Sequence, residues 1–134
     1  MREGDSLLIV AAGTVLAAAL EAAENLYWQG IKVAVINARF VKPLDEELIL
    51  QWAKHCGHVL TVEENILNGG FGSGVVELME KNDLFIPVRR LGIDDQFVAH
   101  GSRAQMLACH GLDATGIFNT ALVLSGKQAV KGVN

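Results

Sequence analysis

Apolar and polar positions along this chain fall into blocks whose period switches between strand-like and helix-like. Leu7-Leu8-Ile9-Val10-Ala11-Ala12 is an unbroken apolar run and predicts a strand buried on both faces. Gly13 turns the chain. Thr14 then caps a helix running to about Gln29, with Leu16, Leu20, Ala23 and Tyr27 along one face. Gly30 suits the position just past that helix. Residues 32–36 (KVAVI) read as a second strand.

Asp45 caps the next helix, where Leu44 staples onto Ile49 and Leu48, Ile49 and Trp52 point inward. Val59-Leu60-Thr61-Val62 is a third strand, and a helix is expected from Ser73 to about Lys81. Pro87 precedes a fourth strand over 88–91. Ser102 and Gln105 form a capping box for a short helix ending at Gly111. Asp113 caps the last helix, with Leu112 stapled onto Ile117. The order β-α-β-α-β-α-β-α-α predicts a three-layer α/β/α fold with a mostly parallel sheet of four to five strands.

The chain has 134 residues, enough for one domain with a core of its own. It is 51% hydrophobic and 19% charged, a globular composition without repeats or low-complexity segments. The net charge of −4 and the scattered basic residues give no footprint for nucleic acid. Arg89-Arg90 is the one basic pair and reads as a solvated strand edge. The apolar run around 15–20 is too short and interrupted to span a bilayer, and Met1-Arg2-Glu3-Gly4-Asp5 is no signal peptide. Cys56 and Cys109 are both expected as buried thiols in a reducing cytosol. The sheet begins after a few polar residues, as in a domain cut from a longer protein, and 127–134 is expected to fray.

The chemistry concentrates after the third strand. Its run, 58–62, is expected to end at two adjacent carboxylates, Glu63 and Glu64. Asn65 and the cluster Gly69-Gly70-Phe71-Gly72-Ser73-Gly74 follow. Acidic groups and backbone N–H groups then meet at the carboxyl end of the sheet, where open α/β folds place function. The glycine spacing is neither a dinucleotide fingerprint nor a P-loop nor a nucleophile elbow. The expected role is a tight turn that packs a helix close to the sheet. Glu63 and Glu64 point to opposite sides of an extended chain, so they make a poor acid–base pair. They are expected to accept backbone N–H groups of neighbouring turns or to act across an interface. His55-Cys56-Gly57-His58 and Cys109-His110 match no common zinc spacing. Asp95 and His100 lie in the loop after the fourth strand, where His100 closes the loop or acts in catalysis.

Three segments carry a family resemblance. They are Ala12-Gly13-Thr14 with 37–45 (NARFVKPLD); Thr61-Val62-Glu63-Glu64-Asn65 with Gly69-Gly70-Phe71-Gly72-Ser73; and Leu91-Gly92 through Asp95, Phe97 and His100-Gly101-Ser102-Arg103 to 111–117 (GLDATGI). The chain resembles the C-terminal domain of the 1-deoxy-D-xylulose-5-phosphate synthases, thiamine-diphosphate enzymes of the transketolase superfamily. The first two segments are shared across that superfamily, and the third is specific to the synthases. Asp94 stands where the synthase pattern commonly has proline.

The resemblance implies a three-domain, homodimeric, cytoplasmic transferase that joins pyruvate to glyceraldehyde 3-phosphate. The other two domains would hold thiamine diphosphate and Mg²⁺. It assigns no catalytic, cofactor-binding or metal residue to this chain, and no nucleic-acid or membrane partner. Glu63, Glu64, Asn65, Gly70, Gly72, Ser73, Asp95, His100, Ser102 and Arg103 become candidates for an interface or the mouth of the active site. It also implies an antiparallel strand before Gly4. With that strand mostly absent, the strand it covers is expected to be bare and to promote self-association. Two other readings stay open: the matching domain of another superfamily enzyme, such as a transketolase or a pyruvate dehydrogenase β-subunit, and an independent small-molecule-binding domain.

Overall fold

The computed structural model describes residues 3–11, 13–38, 46–66, 71–93 and 103–126. Four parallel strands form one sheet in the order β2-β1-β3-β4: β1 (Leu7–Ala11), β2 (Val33–Asn37), β3 (Val59–Ile66) and β4 (Val88–Ile93). The helices are α1 (Leu16–Tyr27), α2 (Glu46–Cys56), α3 (Phe71–Lys81), α4 (Arg103–Cys109) and α5 (Ala114–Leu124). The α/β architecture expected from the alternation is the one found, with four strands among the described residues.

β1 is central, and every residue in it is buried. Successive side chains of a strand leave on opposite faces, and the two cores divide accordingly. Leu7, Ile9 and Ala11 join Val33, Val35, Leu60 and Val62 beneath α1 and α5. Leu8 and Val10 join Ala34, Ile36 and Val59 beneath α2 and α3. The sheet grows from β1 to β2 on one side and to β3 on the other. The carboxyl ends of β1 and β3 therefore flank the point where the strand order reverses. A 3-10 turn, Gly13–Val15, leaves β1 there and lies against β3.

Several local expectations shift. The N-cap position of α1 falls on Val15, the last residue of the 3-10 turn, and not on Thr14. The buried face of α1 is Ala19, Ala22, Ala23 and Leu26, whereas Leu20 and Tyr27 are exposed. α1 packs against both the sheet and α5, and small side chains allow that close approach. β3 runs on to Ile66 and β4 to Ile93, because Ile66 pairs with Ile93 beyond an irregularity in register after Val62. An irregularity of this kind lets a strand continue past residues that break the ladder. Glu63 and Glu64 thus sit within a strand and not after it. α3 opens at Phe71, ahead of Ser73.

The helix ends follow local chemistry more closely. After α1, Gly30 (φ +80°) donates to Tyr27 O at 3.0 Å and Ile31 to Leu26 O at 3.0 Å, which satisfies carbonyls of the last turn. Gly111 (φ +72°) and Leu112 repeat this pattern on Ala108 and Leu107 after α4. Leu112 and Ile117, the expected staple, are both fully buried in the same core.

The N-terminal segment 3–6 runs against β2 and does not leave it bare. Asp5 and Ser6 donate to Lys32 O at 3.1 and 2.9 Å. A Cβ on Gly4 would lie 2.5 Å from Val33 C and 2.7 Å from Ala34 N. Val33, Ala34, Val35 and Ile36 are at most 4% exposed. Backbone thus packs on backbone where only glycine fits. The stretch Leu107–Leu124 has a mean hydropathy of 1.2, but it is two helices, α4 and α5, broken at Gly111.

Candidate functional site

The described part of the candidate site is built around Gly72, in the first turn of α3. On β3, Thr61 and Glu63 face this helix, since Leu60 and Val62 point into the opposite core. Glu63 is 1% exposed, and its Oε2 accepts the Gly72 N–H at 2.7 Å. The first N–H groups of a helix have no partner within it. Here a carboxylate from the neighbouring strand takes the place of a local capping side chain. Its negative charge also meets the positive end of the helix dipole.

The close approach needs glycine. A Cβ on Gly72 would lie 2.8 Å from Thr61 Oγ1, 2.9 Å from Glu63 Oε2 and 3.2 Å from Arg90 Cδ. This is the tight helix-to-sheet packing expected of the glycine cluster. Thr61 pairs with Arg90 across β3 and β4. Arg90 Nη1 donates to Ser73 Oγ at 2.8 Å. One cation on the edge strand is thereby tied to the first turn of α3, and Arg90 is more than the solvated edge residue expected. Thr61 Oγ1 is buried beneath Gly72 without a hydrogen-bond partner.

This arrangement brings together Glu63, Gly72 and Ser73 of the candidate residues, and adds Thr61 and Arg90. The signal for the added pair was the strand period, which puts Thr61 on the face of Glu63, but the pairing of Thr61 with Arg90 is a matter of register. Glu64 is half-buried. Asn65 lies in β3 and Arg103 opens α4. Gly70, Asp95, His100 and Ser102 lie outside the described residues, as do the expected caps Asp45 and Ser102 and the staple residue Leu44.

The chemistry open to this cluster is anchoring. Buried at 1% exposure, Glu63 does not reach a substrate from this position. Nor do the described residues fit a diphosphate: the N-terminus of α3 already faces an anion of the chain itself, and a second anion there would meet like charge. Among the described residues, no group of three His, Cys, Asp or Glu side chains is gathered as metal ligands would be.

The two cysteines differ. Cys56 is buried at the end of α2, and its Sγ donates to Gly4 O at 3.6 Å. Burial pushes its thiol up to about 11, and the charge of Asp5 adds to the shift. It is a packing residue, since a thiol is nucleophilic as the thiolate. Cys109 is exposed, against the expectation of two buried thiols. It lies on α4, away from the cores on either face of the sheet.

Comparison with known proteins assigns the fold a family. Residues 1–117 match the family described as transketolase, C-terminal domain. The chain belongs to this family. It is 46% identical over 125 residues to a 1-deoxy-D-xylulose-5-phosphate synthase of Heliobacterium modesticaldum, covering 93% of this chain and 19% of that protein. A synthase of Gloeobacter violaceus is 49% identical over 90% of the chain, again covering 19% of the relative. The chain thus spans about one fifth of the curated relatives it matches. Among solved structures, a split-gene transketolase described as an inactive β4 tetramer superposes with a TM-score of 0.86 at 34% identity. That match covers 93% of this chain and 41% of the other. A transketolase of Pichia stipitis shares the fold, with a TM-score of 0.60 at 19% identity over 97% of this chain and 18% of that one.

Proposed function

We propose that this chain is the C-terminal domain of a three-domain 1-deoxy-D-xylulose-5-phosphate synthase, and that its role there is structural. The observation that carries this reading is the 46% identity to a synthase over 93% of the chain. The complete enzyme is read as a cytoplasmic homodimer that decarboxylates pyruvate and passes the two-carbon unit to glyceraldehyde 3-phosphate. Thiamine diphosphate, which stabilises the acyl carbanion in such chemistry, and Mg²⁺ belong to the other domains. The Glu63–Gly72 anchor supports this division, because it commits the N-terminus of α3 to a carboxylate of the chain itself.

The carboxyl edge of the sheet is the part of the domain read as bordering the dimer interface or the mouth of the active site. Glu64, Asn65, Gly70, Ser73, Asp95, His100, Ser102 and Arg103 are its candidate residues, with Glu63 and Gly72 anchoring that edge from within. In the full-length enzyme, Glu64→Ala and His100→Ala are expected to lower activity or weaken dimer assembly while the domain stays folded. Wild-type activity and dimer affinity in both variants would remove that assignment.

Calorimetric titration of the 134-residue chain with thiamine diphosphate and Mg²⁺ is expected to show no binding, and the full-length enzyme to make 1-deoxy-D-xylulose 5-phosphate. Tight binding by the chain alone, or no synthase activity in the full-length protein, counts against the reading. One observation favours a second reading. The split-gene transketolase superposes on 93% of the chain, and in such an enzyme the remaining domains would be divided between separate polypeptides. A diphosphate motif, Gly-Asp-Gly, in the same open reading frame supports the synthase; its absence supports the split arrangement.

A further inference from the structure

The two helix layers present different surfaces. α2 and α3 carry Glu46, Glu47, Lys54, Glu77, Glu80 and Lys81, all exposed. α5 carries no charged residue, and just two of its side chains, Ile117 and Ala121, are buried. Its exposed positions are Thr115, Asn119 and Val123, polar or apolar but uncharged. Of the exposed large hydrophobic residues among those described, Leu20, Tyr27, Trp28 and Val123 belong to α1 or α5 or adjoin them, and Phe85 lies elsewhere. Trp28 is 72% exposed and Val123 77%. A groove of about 310 Å³ runs between the two helices, lined by Asn25, Trp28, Gln29, Thr115 and Phe118.

Apolar patches of this kind on a folded domain mark interaction sites. Depletion of charge with enrichment in aromatic residues is the composition of an interface core. We propose that the outer face of the α1–α5 layer seats the remaining domains of the same polypeptide, as a permanent internal interface. This rests on the reading of the chain as one domain of a larger enzyme. The length of the relatives supports that occupant: the chain spans 19% of them, and the other four-fifths of such a polypeptide needs a seat. Charge supports it too. The two charges of α1, Glu21 and Glu24, are both acidic and exposed. A second copy docked two-fold on the Trp28 groove would bring these carboxylates together, and an anionic membrane would repel them. The occupant is therefore a surface that is apolar opposite Trp28 and Val123 and basic opposite Glu21.

Cysteine labelling tests this. In a Cys109→Ser background, Asn119→Cys places a thiol on the exposed side of α5 and Gln51→Cys one on the exposed side of α2. Each is reacted with a maleimide, in the 134-residue chain and in the full-length enzyme carrying it, and followed by peptide mass spectrometry. Asn119→Cys is expected to react freely in the chain and more than about tenfold more slowly in the full-length enzyme, as a closed interface excludes the reagent. Gln51→Cys should react alike in both. Equal reaction of Asn119→Cys in the two proteins overturns the proposal, as does equal protection of both positions. Protection in the short chain alone, rising with its concentration or on adding phosphatidylcholine vesicles, overturns it in favour of a second copy or a lipid surface. Protection of Asn119→Cys in a full-length protein that lacks synthase activity removes the functional reading and leaves the interface standing.

Discussion

Two helices of this domain carry in their first turn a glycine where a side chain would collide, Gly72 in α3 and Gly116 in α5, yet they are anchored by different means. α5 is capped by Asp113, whose Oδ1 accepts the Gly116 N–H at 2.8 Å. The cap and the capped group lie within one turn. α3 has its Gly72 N–H taken by Glu63, which lies nine positions back and in a strand. The obstacles differ as well. A Cβ on Gly116 would lie 2.5–2.6 Å from backbone atoms of Gly111, whose left-handed conformation is fixed by the end of α4. A Cβ on Gly72 would meet the side chains of Thr61, Glu63 and Arg90. The α4–α5 corner is thus a rigid local joint, whereas the start of α3 is a joint between elements, held by side chains that have some freedom to move.

The contrast yields an order of effects, each measured as the denaturant midpoint of the chain. Gly116→Ala is expected to be the most damaging. Backbone cannot step aside cheaply, so the loss should reach the upper end of overpacking costs, about 3 kcal/mol or more. A loss below that of Gly72→Ala would reverse the comparison. Glu63→Ala comes next, at about 2 kcal/mol, for one charge-assisted hydrogen bond and the buried N–H left behind. Glu63→Gln, which keeps an acceptor oxygen, should recover part of that loss. If Gln and Ala behave alike, the carboxylate acts through something other than the Gly72 N–H.

Gly72→Ala should cost about 1–2 kcal/mol, because Thr61 and Glu63 side chains must yield. Combined with Glu63→Ala it should cost less than the sum, since the first change relieves the second; strict additivity would show that the two do not share a joint. Asp113→Ala is the smallest, about 1 kcal/mol, the usual loss of a local cap. It should be additive with Glu63→Ala, because the two caps serve separate helices, and marked coupling between them would contradict that separation.

Much of the α4–α5 corner is legible in the sequence. Asp113, the Gly111 helix end and the Leu112–Ile117 staple all depend on contacts between residues a few positions apart. The alternating blocks likewise implied the parallel α/β/α layers, since burial on both faces demands an apolar run and a crossover demands a helix. The functional edge was legible in part. The glycine cluster pointed to tight packing against the sheet, and Glu63 to a bond with a backbone N–H, but neither named its partner. Thr61 and Arg90 carry no such signal, one reading as an ordinary strand residue and the other as half of a solvated pair.

What the sequence determined by itself was therefore the set of elements, the Asp113 cap and the two-sided burial of β1. The tertiary structure alone decided which face of α1 is buried, how far β3 continues past its carboxylates, and that Glu63 and Arg90 converge on the first turn of α3. The physical reason is range. Periodicity and capping act over one or two turns of chain, so neighbouring residues are enough to specify them. The register of β3 against β4 and the spacing of α1 from α5 arise from contacts between distant segments. In those contacts an alanine or a glycine matters for the room it leaves, and that room exists only once the other segment is in place.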